Sequence, residues 1–337
     1  MISADDKKSD QQYIQDVLNN DIELSKSLNK LSKSTLDKLR IALADLLEDD
    51  LGNSIGTIPV YFLDKLPGKK QAEVINRLYE DIEADKDMMG SHEVQLGLDT
   101  SLNSYKSSNS AAITVAVFLV LLGHMKDSNR IMQKSGKSDR EMAISHLIDK
   151  GGQFEGNKLI AGIAPDFAKT ADANGNTVSE INYNATVNAS NGIANAVKGK
   201  IRTGVNRDDM AVFLNSGNVQ PAIVSKDDKV TRDYKVKNEN NPTGWLSRLD
   251  SDNIRTYRTM TALAHSLYKK EIAKALKIKQ ATIINETDPC KFCVENIGRI
   301  FTVDDATSRV PSHYNCRCEV RLVNDYGEVT DDDPDDE

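Results

Sequence analysis

All four cysteines of the chain lie in one short window, Cys290-Lys291-Phe292-Cys293 followed by His313-Tyr314-Asn315-Cys316-Arg317-Cys318. Two residues separate the first pair, one separates the second, and a histidine stands beside it. Soft thiolates and an imidazole at this spacing are what a tetrahedral zinc ion needs, and a site with four protein ligands is closed and structural. Five side chains compete for four positions: Cys290, Cys293, His313, Cys316 and Cys318. A Cys-x-x-Cys knuckle offers two ligands from one tight turn, and a second segment closes the tetrahedron. The expected set is Cys290, Cys293 and Cys316 with His313 or Cys318 fourth, the remaining group hydrogen-bonding around the site. Disulfide pairing and a redox dithiol are the rival chemistries. The polar start Met1-Ile2-Ser3-Ala4-Asp5-Asp6 is expected to carry no export signal, and thiols in a reducing cytosol favour metal.

Other chemistries lack their residues. Pro289-Cys290-x-x-Cys293 matches half of a zinc deaminase signature, but no histidine or cysteine upstream sits two positions before a glutamate. The sequence holds no Gly-x-x-x-x-Gly-Lys-Ser/Thr loop, no Gly-x-Ser-x-Gly elbow and no His-Glu-x-x-His helix. The other four histidines read as ordinary core or surface residues, and no enzyme is expected. A second signal is positive charge. The chain carries a net −8, with six acids among its last seven residues, yet residues 255–323 hold twelve Lys/Arg against seven Asp/Glu. Arg255, Arg258, Lys269, Lys270, Lys274 and Lys277 form a basic stretch of the kind that contacts nucleic-acid phosphates. The plainer reading of the same stretch is a solvated helix face.

The elements that must position these residues are mainly helical. Aromatics are 5% and hydrophobics 39%, a lean supply that suits elongated helices better than one large core. Tyr13 to Leu28 predicts one helix, a second starts at Ser34 as N-cap, and Ala72 to Met89 predicts a third. Ser101 to Ser110 reads as a linker. Ala111 to Leu122 is apolar but too short to span a bilayer, so a buried core helix is expected there. Ser138 is expected to cap a further helix that Gly151-Gly152 ends. Residues 152–245 are poorly patterned, and Ser225 to Gly244 reads as a loop. Leu263 to Leu276 predicts an amphipathic helix, followed by strands at Ala281 to Ile284, Arg299 to Val303 and Cys318 to Val323, with a turn at Gly298.

The C-terminal module resembles the phage Mu F-like family of minor head proteins. The match reads Arg258-Thr259, then Asp288-Pro289-Cys290-Lys291-Phe292-Cys293, Gly298-Arg299-Ile300-Phe301, and Pro311-Ser312-His313-Tyr314-Asn315-Cys316-Arg317-Cys318. It covers about residues 245–325; Met260 stands where that family usually has glutamate. The resemblance implies a head morphogenesis protein of a tailed phage, partnering the portal and other head proteins, placed in the virion and, during assembly, in the host cytoplasm, with a possible part in DNA ejection. The alternatives are a zinc module contacting packaged double-stranded DNA, or a toxin of the same family. The expected architecture is mainly α: a helical region over 1–100, a helical or irregular region over 101–244, a small α+β zinc-stapled module over 245–325 with no membrane span, and an acidic disordered tail over 326–337.

Overall fold

The computed structural model describes residues 4–48, 57–84, 92–151, 170–217, 240–284, 291–312, 316 and 318–323. It is mostly helical with one small antiparallel sheet, as the sequence predicts. The helices are α1 (Ala4–Leu46), α2 (Lys69–Glu83), α3 (His92–Ser104), α4 (Asn109–Gly151), α5 (Val178–Arg202), α6 (Arg207–Asn215) and α7 (Pro242–Leu276). After them come β1 (Gln280–Ile284), the single-turn α8 (Lys291–Val294), β2 (Ile300–Thr302), α9 (Val303–Ser308) and β3 (Glu319–Val323). β1 is central, with β2 and β3 antiparallel on either side, Ala281 facing Phe301 and Leu322.

Several boundaries differ from the sequence reading. The break at Ser34 does not occur: α1 runs unbroken through it, and the Thr35 hydroxyl donates to the Leu31 carbonyl one turn back, bonding within the helix instead of capping a new one. Ser138 likewise lies inside α4, and Gly152, where the helix is expected to end, lies outside the described residues. The expected linker at Ser101 to Ser110 is the end of α3, a single 3-10 turn at Tyr105–Ser107 and the start of α4. Its serines are satisfied locally: Ser104 and Ser107 hydroxyls donate to carbonyls three residues back, and Ser108 Oγ accepts from Ala111 N. The loop expected at Ser225 to Gly244 falls largely outside the described residues, and α7 begins at Pro242.

The chain divides into two compact units, and neither is contiguous. One comprises residues 22–132 and 179–254. Its core gathers Leu39, Leu43, Ile75, Ile113, Val117, Leu121 and Ile193, so the apolar run of α4 is a core helix as expected. That helix is long and apolar enough to cross a membrane by composition, but 72% of its apolar window is buried. Trp245 belongs to this core. Its indole lies against Gly192 of α5, where a Cβ would come within 2.2 Å of the ring, so only glycine lets the two helices approach.

The other unit comprises residues 1–21, 133–178 and 255–337. This corrects the contiguous C-terminal module: its boundary falls at Arg255 and not at 245, Trp245 packs elsewhere, and the first part of α1 and the last part of α4 belong to it. The physical reason is that α1, α4 and α7 each contribute one stretch to each unit, a division that a linear scan for linkers does not find. In this unit Tyr268, Ile272, Ala281, Ile283, Ala306, Val310 and Val320 form the core with the cysteines. α7 ends on Lys277, which takes the left-handed conformation (φ 57°) while Ile278 N donates to the Ala273 carbonyl at 2.8 Å. The acidic tail lies outside the described residues.

Candidate metal centre

The cluster is assembled from two segments, one in the β1–β2 connection and one just before β3. Cys293 sits in α8, held by a turn in which Asn296 N and Ile297 N donate to its carbonyl at 2.9 and 3.1 Å. Gly298, at φ 75°, then turns the chain so that its N–H reaches the Ile283 carbonyl at 3.0 Å, the turn the sequence predicts. Cys316 and Cys318 lie just before β3. The sulfur atoms of Cys293, Cys316 and Cys318 all fall within 4.8 Å of one another, and all three residues are buried. None of the three is disulfide-bonded. Ser312 Oγ lies 3.1 Å from Cys293 Sγ and 3.6 Å from Cys316 Sγ.

Three buried sulfurs this close fit a soft metal ion: thiolates on a tetrahedral zinc stand roughly 3.8 Å apart, from a Zn–S bond of about 2.3 Å. Their mutual hydrogen bonds shift two of the thiols in opposite directions. Contacts from Cys293 and Cys318 hold the Cys316 thiol far below its usual range, while the same exchange with Cys293 and Cys316 pushes Cys318 up. Cys293, Cys316 and Cys318 of the expected ligand set are brought together. Cys290 and His313 lie outside the described residues.

Beside the thiols lies a buried ionic cluster that sequence reasoning missed. Glu319, the residue after Cys318, accepts from Lys269 Nζ at 2.8 Å and stands 3.0 Å from His265 Nδ1. Burial pushes the Glu319 carboxyl up, but Lys269 and His265 outweigh it and hold the group at about 2. The Tyr13 hydroxyl is 3.5 Å from His265 Nδ1, its ring stacks on His146 at 4.4 Å, and Lys269 Nζ lies 5.8 Å from the same ring. Arg258 Nε donates to Asp21 at 2.9 Å. Asp139 accepts from Asn20 at 2.6 Å and from the Tyr257 hydroxyl. Burial and the neighbouring Asp21 push Asp139 up to about 7.

These pairs correct the basic stretch. Arg258 and Lys269 face inward, their charges spent on Asp21 and Glu319, so neither is available to a phosphate. Lys270 is exposed but paired with Asp304 at 2.7 Å. Arg255 is half-buried, and Lys274 and Lys277 are exposed. The missed acids left no local signal: Asp21 and Asp139 are more than a hundred residues from their α7 partners. The alternation Glu319-Val320-Arg321-Leu322 reads as a strand with one wet face, whereas Glu319 and Arg321 are both buried.

Tyr13, Asp21, Asp139, Tyr257, Arg258 and Glu319 line, with Cys316, a cavity of about 30 Å³. That is room for one or two water molecules. A wider cleft of about 440 Å³ in the other unit, with Phe118, Val187, Thr100 and Ser190 in its wall, has Tyr183 as its one titratable lining residue among the described residues. A second constellation, Thr35–His124–Asp250, has the residue types of a hydrolase triad, with Thr35 Oγ1 2.9 Å from His124 Nδ1 and His124 Nε2 3.5 Å from Asp250. Thr35 is no activated nucleophile. Its proton goes to the Leu31 carbonyl, so its oxygen accepts from Nδ1–H, and the group is buried.

The site is therefore a buried three-thiol cluster, able to hold a metal ion, inside an α+β unit braced by internal ion pairs. Compared with known proteins, the chain matches no family model, no curated protein and no solved structure.

Proposed function

We propose that this chain is a minor head protein of a tailed phage, stapled by a structural zinc ion and acting in head morphogenesis near the portal. One observation carries the reading. Cys293 of the knuckle and both cysteines of the closing Cys-x-Cys, two of the motifs that carry the resemblance to the Mu F-like family, converge on one buried cluster although β2 and α9 intervene. Zinc is the ion of choice because sulfur ligands from short paired segments are its structural habit. Cys293, Cys316 and Cys318 would hold it, with one of Cys290 and His313 completing four ligands; the ion itself would supply a closed, non-catalytic crosslink. The portal and neighbouring head proteins are the partners that this role requires.

The role is structural in this reading. The cavity beside the thiols is water-sized, and Arg258 and Lys269 are engaged internally, which weighs against both the toxin and the DNA-contacting alternatives. The test is quantitative mass spectrometry of purified procapsids and virions from cells making the chain. A few to tens of copies per particle is the expected result. Hundreds of copies would overturn the minor-component role, and absence from both particles would overturn the head assignment.

A further inference from the structure

We propose that metal occupancy of the thiol cluster controls the docking of the N-terminal segment of α1, through Asp21, and that Glu319 is the residue that transmits it. The inference rests on the metal reading above and goes beyond it. It joins two parts of the chain about three hundred residues apart in sequence.

The path is short in space. Cys318 and Glu319 are adjacent, and Glu319 is the first residue of β3, where it pairs with Ile284 at the end of the ladder. A terminal residue of a strand frays most readily, so whatever fixes Cys316 and Cys318 also fixes the Glu319 carboxylate. That carboxylate holds Lys269 at 2.8 Å and lies 3.0 Å from His265. These two residues form the surface on which Tyr13 rests, through its hydroxyl at His265 and its ring beneath Lys269. Cys316 also contributes directly to the cavity wall shared with Tyr13, Ile14, Val17 and Asp21.

The energetics follow from burial. Lys269 is 2% exposed and Glu319 9%, so each depends on the other to offset the cost of leaving water. With the thiols bound to one ion, the 316–319 segment is fixed and both charges stay matched. Without the ion that crosslink is gone, and the thiols keep their hydrogen bonds to one another and to Ser312. When Glu319 then swings away, Lys269 is left as a buried charge whose easiest relief is hydration. The face that must open to admit water is the one covered by Tyr13. Coupling of this kind is reciprocal: if the metal favours docking, docking favours the metal by the same factor.

The experiment uses the full chain. Hydrogen exchange is followed in the zinc-loaded protein and after zinc removal by a chelator, with metal content measured in both. The expected result is that peptides covering residues 4–21 exchange about tenfold faster without zinc, while peptides from the apolar run 111–122 are unchanged. Glu319→Gln should keep zinc, as measured by metal analysis, yet show the fast N-terminal exchange with zinc bound. Should that variant fail to fold, Tyr13→Ala tests the reverse direction. It should weaken zinc affinity, measured at equilibrium in competition with a chromogenic chelator, by about tenfold. Unchanged exchange of residues 4–21 in protein shown to have held and then lost zinc overturns the coupling and leaves the metal reading standing. A reduced protein that binds no zinc overturns both.

Discussion

Lys269 Nζ donates to Glu319 Oε2 at 2.8 Å, and both side chains are almost wholly out of water. This pair turns what reads in sequence as one cation of a basic helix into an interior brace. Removing the lysine leaves a buried carboxylate without its cation, so Lys269→Ala should destabilise its unit by roughly 3–5 kcal/mol. Lys274→Ala, on the exposed face of the same helix, should change stability by no more than about 0.5 kcal/mol. Urea unfolding of the two variants decides this; equal effects would return Lys269 to the surface.

Metal removal should act on folding. Structural zinc in small modules contributes on the order of 10 kcal/mol to apparent folding free energy. That figure is an upper bound for a unit with a core of its own, so Cys293→Ser or Cys316→Ser should lower the urea midpoint of the unit built on residues 255–323 while leaving it folded, with loss of one zinc per chain by metal analysis. Full zinc content in Cys316→Ser would show that the thiol is not a ligand.

Asp139 sets a pH dependence of definite sign. Burial and Asp21 raise its folded value to about 7, against the hydrogen bonds from Tyr257 and Asn20 and the nearby His265. The folded state thus holds a proton that the unfolded chain has released, and this contribution to stability falls as pH rises from about 4 to about 7. The shift corresponds to at most about 4 kcal/mol. Asp139→Asn mimics the protonated group, donating toward Tyr257 and accepting from Asn20. It should be at least as stable as the parent at pH 7.5 and lose that advantage near pH 5. An advantage independent of pH would count against the assignment.

The sequence showed the parts whose signal is local. The cysteine spacing, the strands around Ala281 and Val320, the Gly298 turn and the buried run at Ala111 to Leu122 each depend on residues within a few positions. What it hid depends on distance along the chain. Tyr13 gave only a helical period and Asp21 gave no signal, and nothing in that stretch says that they close the unit carrying the cysteines. Arg258 and Lys269 looked like solvated cations because their acids lie at Asp21 on another helix and at Glu319 on the far strand. Ser34 looked like a cap because a hydroxyl before a leucine run is a cap signal, and a continuing helix bonds such hydroxyls equally well to the preceding turn.

His124 is the hinge of a buried polar chain in the other unit. Thr35 fixes its Nδ1–H, and its Nε2 faces Asp250, whose carboxyl burial pushes up. His124→Ala should cost roughly 3–5 kcal/mol by leaving that carboxyl without its base, and Asp250→Asn should cost less. Neither change should affect zinc content. A loss of zinc in His124→Ala would contradict the division of the chain into two units.

Gly192 and Trp245 supply a spectroscopic check on that division. Trp245 is the one tryptophan of the chain, so its emission reports a single place. A methyl group at position 192 would enter the indole plane, at 2.2 Å from Cε2, and neither helix backbone can yield without disturbing the core around Ile193 and Leu246. Gly192→Ala should therefore destabilise by about 1–3 kcal/mol and shift the emission to the red as the indole is displaced toward water. Chelation of zinc, by contrast, acts on the other unit and should leave the emission of the parent protein unchanged. If zinc removal shifts it as far as Gly192→Ala does, then Trp245 belongs with the cysteines, as the sequence alone suggested, and the boundary at Arg255 is wrong.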